Sequence, residues 1–164
     1  MKMSAQEEYG LRCLLRLGHA GDGASLTLSE LSRSEGISLP NVAKMMRILR
    51  RSGYVRSTRG KEGGYTLARR PEEINVGEAL ALLGGRLFDS RFCDRHAGTS
   101  RLCSNSTDCS IRSVWRTLQD AVDGVLARMS LKDLLRTEEE MRVFVSPRAV
   151  PLPVLRADLD ARSS

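Results

Sequence analysis

The stretch 38–68, SLPNVAKMMRILRRSGYVRSTRGKEGGYTLA, admits few folds, because a helical periodicity and a strand pattern meet in it across a single glycine. Its first half sets Val42, Met45, Met46 and Leu49 on one side of a helix. Ser38 is available as N-cap, and Pro40 falls in the first turn, where a missing amide proton costs nothing. After Gly53 the pattern changes. YVRSTRGKEGGYTLA reads as two short strands, 54–57 and 65–68, joined by a loop rich in glycine, so a β-hairpin follows the helix directly.

What precedes this stretch completes a motif. Tyr9, Leu11, Leu14, Leu15 and Leu17 recur at mostly helical spacing over residues 4–19, with Ser4 as N-cap. After AGDGAS, a short helix carries Leu28 and Leu31 inward and stops at Gly36. A short helix, a turn at a glycine and a second helix form a helix-turn-helix, and the hairpin behind it makes a wing. Asn41, Lys44, Arg47 and Arg51 fall on the face opposite Val42, Met45 and Leu49, with Ser38 at the entrance. Arg59 and Lys61 occupy the tip of the hairpin.

Charge follows the same geography. Residues 41–70 hold nine Lys and Arg against one acid, Glu62, a local excess of +8 where the whole chain carries +6. The basic stretch is therefore a patch, and double-stranded DNA is the partner it suits. Asn41 is placed to reach base edges, and Lys44, Arg47, Arg51, Arg59 and Lys61 to neutralise phosphates. The competing reading is a solvated helix face followed by a charged loop.

Downstream, Ile74, Val76, Ala79, Leu80 and Leu83 mark a short helix ended by Gly84 and Gly85. Next comes FCDRHAGTSRLCSNSTDCS, which sets Cys93, Cys103 and Cys109 among small, turn-forming residues. From residue 111 to 129, Ile111, Val114, Trp115, Leu118, Val122, Val125, Leu126 and Met129 form one apolar stripe, more than a small winged domain needs for its own core. This predicts a dimerisation helix. Ser130 and Asp133 form a capping box that opens a further helix through Met141. The expected fold is mainly α: a winged helix-turn-helix DNA-binding domain at 1–75, and a cysteine loop (86–110) with dimerisation helices at 76–141. A flexible, proline-bearing tail is expected at 142–164.

No run approaches the roughly 18 apolar residues of a membrane span, and MKMSAQEEYG has acids where a signal peptide needs an apolar core. The expected location is the cytoplasm, where clustered thiols bind metal or do redox work more often than they form disulfides. The gaps of nine and five residues between the cysteines do not match the close pairs of structural zinc sites, which leaves zinc, direct thiol sensing and an iron–sulfur cluster as alternatives. No CxxC pair, Ser-His-Asp set or phosphate loop points to an enzyme. An electron-transfer protein that docks an acidic partner is a further alternative.

The order of parts, with RGKEGGYTLAR at 59–69, PEEINVGEAL, a three-cysteine loop and SVWRTLQDAVDGVLARMSLKDLL, resembles the IscR/NsrR-type family of bacterial winged-helix regulators over roughly residues 1–140. The resemblance implies a homodimer held by the long helix, with an iron–sulfur cluster (2Fe–2S or 4Fe–4S) on Cys93, Cys103 and Cys109. Cluster state then sets operator affinity in response to redox conditions, nitric oxide or iron–sulfur status. In the IscR branch a histidine three residues after the last cysteine is the fourth ligand; here that position is Arg112. In other branches an acid near the start of the first helix reaches the cluster of the partner subunit, and Glu8 occupies the matching position. The IscR pattern has an aromatic residue and a glutamate where this chain has Asn41 and Ala43, which implies a different operator.

Overall fold

The first helix, α1 (Ala5–Ala20), starts at a reciprocal cap in which the Ser4 hydroxyl accepts from the Glu7 amide and the Glu7 carboxylate accepts from the Ser4 amide. Thr27 and Glu30 repeat the device at α2 (Leu28–Glu35), which ends on Gly36 at φ 63°, a left-handed angle suited to glycine. These elements come from a computed structural model, which describes residues 4–58, 63–86, 88, 92–97, 99, 103, 105 and 107–146. Of the tail expected at 142–164, residues 142–144 belong to a helix, Glu138–Phe144, and residues 147–164 lie outside the described residues.

Helix α3 (Leu39–Arg51) crosses α1 and α2 and buries Val42, Met45, Met46 and Leu49, the stripe its periodicity predicts. Its cap differs from expectation. Ser38 sits at the N-cap position, but its side chain makes no capping hydrogen bond. Pro40 removes the amide of the second helical residue, while the third, Asn41, keeps its own.

The hairpin follows as β1 (Val55–Thr58) and β2 (Gly64–Leu67), antiparallel, with Val55 opposite Leu67 and Thr58 opposite Gly64. Both strands lie one residue from the predicted bounds. Tyr54 belongs to the corner, since its amide donates to the Leu49 carbonyl and its own carbonyl accepts from Ala68. A further pairing was not visible in the sequence. Leu26 exchanges two backbone hydrogen bonds with Tyr65, at 2.9 and 2.8 Å, and so extends the sheet beyond β2. Gly64 is required by that approach, because a Cβ there would lie 2.7 Å from the Leu26 carbonyl oxygen.

The core joins these parts. Cys13, Leu14, Leu17, Leu31, Val42, Met46, Leu49, Ile74, Leu83 and Leu131 are buried in one cluster, each large aliphatic side chain contributing about 1.5–3 kcal/mol by leaving water. Cys13 is a core residue, and burial together with Glu35 pushes its thiol up to about 12 against the opposing effect of Arg12. Glu35 in turn accepts from Arg12 at 3.1 Å and Arg16 at 2.8 Å, tying α1 to the end of α2.

After a 3-10 turn (Pro71–Glu73), α4 (Val76–Gly84) lies against α1 at very short range. A Cβ on Gly10 would meet the Leu83 methyls at 2.5 Å, and one on Gly84 would overlap Glu7. Gln6 also donates to the Leu83 carbonyl. A one-turn helix, α5 (Phe92–Arg95), leads toward α6 (Ser110–Leu126). Helix α6 stops three residues short of the predicted Met129, whose carbonyl is used instead by the Val76 amide at 2.9 Å. The single helix expected from Ser130 is two, α7 (Leu131–Leu134) and α8 (Glu138–Phe144). Thr137 and Glu140 form a second capping box that restarts the chain in a new direction.

Candidate nucleic-acid interface and cysteine loop

Ser38, Asn41, Lys44, Arg47 and Arg51 are all exposed along α3, on the side away from its buried stripe. Among the described residues no ion pair engages Lys44, Arg47 or Arg51. Arg12 and Arg16, by contrast, are committed to Glu35. The α3 cations can therefore take up phosphate without first breaking a contact within the chain. Ser38 is exposed at the same end of the helix as Asn41.

Arg59 and Lys61 lie outside the described residues. The base of their loop is well defined: the Thr58 hydroxyl accepts from the Gly64 amide at 3.0 Å and sits 2.9 Å from the Ser25 hydroxyl. Arg56, exposed on β1, lines a cleft of about 330 Å³ between the hairpin and the Gly21–Gly23 turn, with Thr66, Arg69 and Arg70. Glu73 neutralises Arg70 and the Arg69 guanidinium lies 5.1 Å above the Tyr54 ring, whereas Arg56 has no such engagement among the described residues. The sequence reading counted these arginines in the basic patch without seeing the cleft.

The three cysteines of the loop are half-buried and unpaired. Cys93 lies in α5, Cys103 in the connecting segment, and Cys109 is the N-cap of α6, its sulfur accepting from the Arg112 amide at 3.4 Å. The Arg112 guanidinium donates to the Asn105 carbonyl at 3.1 Å, so this one residue braces both Cys109 and the segment before it. His96 is turned to local use, with Nδ1 2.8 Å from the Phe92 carbonyl oxygen and its ring stacked on Phe92 at 4.3 Å. Glu8 is exposed on α1. Among the described residues, no three Cys, His, Asp or Glu side chains are gathered closely enough to hold a metal ion within one chain. In donor chemistry the loop fits a thiolate-ligated cluster: three unpaired thiols and an N–H aimed at one sulfur, an interaction that tunes such clusters.

Helix α6 divides along its length. Toward its C-terminal end Val122, Val125 and Leu126 are half-buried, while Ile111, Val114, Trp115 and Leu118 are 58, 55, 43 and 46% exposed. Four large apolar residues on successive turns present an unpartnered face directly after Cys109. One flank of the helix is held by polar contacts the sequence did not announce. Gln119 is buried, accepts from the Phe88 amide at 2.9 Å and donates to Asp123 at 2.8 Å, and Asp123 also pairs with Arg86.

Comparison with known proteins bears on this arrangement. A family model described as Rrf2, iron-dependent transcriptional regulator, matches residues 3–137. The protein rrf2 of Nitratidesulfovibrio vulgaris is 31% identical over 136 residues, covering 83% of this chain and 88% of that protein. Among solved structures, CymR, the global cysteine regulator of B. subtilis, superposes with a TM-score of 0.68 at 25% identity, covering 82% of this chain and 96% of that one. T. potens IscR gives 0.65 at 28% identity, covering 82% and 86%. The winged-helix architecture expected from the sequence is the fold of these regulators.

Proposed function

This chain belongs to the Rrf2 family of transcriptional regulators, and on that premise we propose that it is a cytoplasmic homodimer whose affinity for a DNA operator is set by an iron–sulfur cluster. Cys93, Cys103 and Cys109 hold the cluster together with Glu8 of the partner subunit. The observation that carries this reading is the position of Cys109. It caps the same helix whose next turns expose Ile111, Val114, Trp115 and Leu118, so one element bears both a ligand and the face suited to a second copy. When bound, the cluster supplies a redox-sensitive and nitric-oxide-sensitive tie among its ligands.

The chain's own residues convert that tie into a change at DNA. Helix α1 cannot slide alone, because Gly10, Gly84 and Gln6 lock it onto α4. A pull on Glu8 therefore displaces the winged unit as one body. The recognition helices of a dimer must match half-sites about 34–36 Å apart. A small rotation of each unit changes that fit and hence the affinity.

Iron and sulfide content of anaerobically purified protein tests the ligand set. Brown protein with visible absorption that Cys103→Ala abolishes is expected; colourless protein with tightly bound zinc contradicts it. A second reading is favoured by the fold shared with CymR, the cysteine regulator, and by the unpaired state of the loop thiols: a cluster-free thiol switch. It predicts DNA binding that responds to diamide without iron.

A further inference from the structure

The place where α6 joins the winged unit is narrow, and its chemistry is unusual. Asn75 is the N-cap of α4, with its side-chain oxygen accepting from the Glu78 amide at 3.0 Å. The other half of the same amide donates to the last carbonyls of α6, to Leu126 at 3.4 Å and Ala127 at 3.1 Å. One side chain thus satisfies orphan groups at the start of one helix and the end of another. The backbone continues the junction: Val76 donates to the Met129 carbonyl at 2.9 Å and Leu131 to the Ile74 carbonyl at 2.8 Å, making a bridge of Asn75 with Ser130. The helices approach so closely that a Cβ on Gly77 would stand 3.1 Å from Leu126 Cβ. Beyond this point they diverge around a cleft of about 340 Å³ bordered by Glu78, Arg86 and Asp123.

We propose that Asn75 is a positioning residue that fixes the angle of α6 against the winged unit, and that the α4–α6 junction it closes is the fulcrum through which a change at the cysteine loop reaches α3. This rests on the functional reading above and adds a residue to it. The physical ground is the two-sidedness of the carboxamide. Serine or aspartate can cap α4 equally well, but serine is too short to reach α6, and aspartate brings a carboxylate against two carbonyl oxygens. Capping and positioning are therefore separable by substitution.

The test is a distance distribution measured by pulsed electron resonance on the full-length protein. Ketone-reactive spin labels on an unnatural residue at Arg33 (α2) and Asp120 (α6), both exposed, leave the native cysteines untouched. With labelled chains diluted into an excess of unlabelled protein, so that a dimer carries one labelled subunit, the wild type gives one narrow intrachain distance. Asn75→Ser is expected to broaden it about two-fold, and Asn75→Asp to broaden or shift it further, with the melting temperature of the winged unit unchanged. In DNA binding, Asn75→Ser then lowers the ratio of cluster-loaded to cluster-free affinity by roughly five-fold or more. Unchanged distributions in both variants overturn the proposal. A wild type whose DNA affinity ignores the cluster overturns the functional reading instead, while the distance distributions still decide the role of Asn75.

Discussion

Helices α3 and α6 are the two long elements after α1, and they are built on opposite plans. Helix α3, of 13 residues, buries four apolar side chains and holds its cations outward, without ion-pair partners among the described residues. Helix α6, of 17 residues, buries only Gln119 and exposes its apolar face. The first is fixed by a core that includes α1, α2 and the hairpin. The second is attached through its C-terminal half, by the Asn75 contacts and by Gln119 and Asp123, and exposes the apolar side chains of its N-terminal half. Local stability is set by buried contacts, so the α6 side of the molecule is where small forces produce movement.

The contrast breaks first at the core. Leu14→Ala, at a fully buried position of α1, is expected to destabilise the winged unit by about 2–5 kcal/mol in chemical denaturation. Trp115→Ala should leave that transition where it is and instead weaken self-association by about 2 kcal/mol or more, read by analytical ultracentrifugation. If Trp115→Ala unfolds the monomer, α6 belongs to the core and the comparison fails. Replacing Lys44 and Arg47 together by alanine is expected to cost little stability and to flatten the salt dependence of DNA binding by about two units of log–log slope. A slope equal to that of the wild type would remove α3 from the interface.

The smallest effect is at the caps. The Thr27 amide and hydroxyl hold the Glu30 carboxyl below its ordinary 4.5, and Thr137 does the same for Glu140. A carboxyl lowered on folding stabilises the folded state above its unfolded pKa, and that contribution is lost as pH falls through the lower folded value. Helices α2 and α8 should therefore fray slightly below about pH 4.5, visible as faster amide exchange at Glu30 and Glu140. Thr27→Ala and Thr137→Ala should abolish the pH dependence.

Local signals made the winged unit legible. Helical spacing in 39–51, glycines at the turns and the strand pattern after Gly53 all act over a few residues, and the structure follows them. What was missed depends on residues far apart in sequence or on a neighbour's chemistry. Leu26 pairs with Tyr65 across the fold, and Asn75 reaches Ala127. Gln119 reads as one polar residue beside a stripe, although it is the buried residue of its helix. Ser38 looked like a cap, but its side chain makes no capping hydrogen bond. Of the candidate site, Asn41, Lys44, Arg47 and Arg51 were legible because exposure follows from periodicity. The proposed ligand set came only through the family resemblance, since among the described residues no such group is gathered within one chain.

The most direct measurement is the DNA affinity of one anaerobic preparation before and after iron is removed by a chelator, using duplexes selected from a random library. The account predicts a change of roughly five-fold or more, absent in Cys103→Ser, which should be fixed at the iron-free value. Equal affinity with and without iron in the wild type would contradict it.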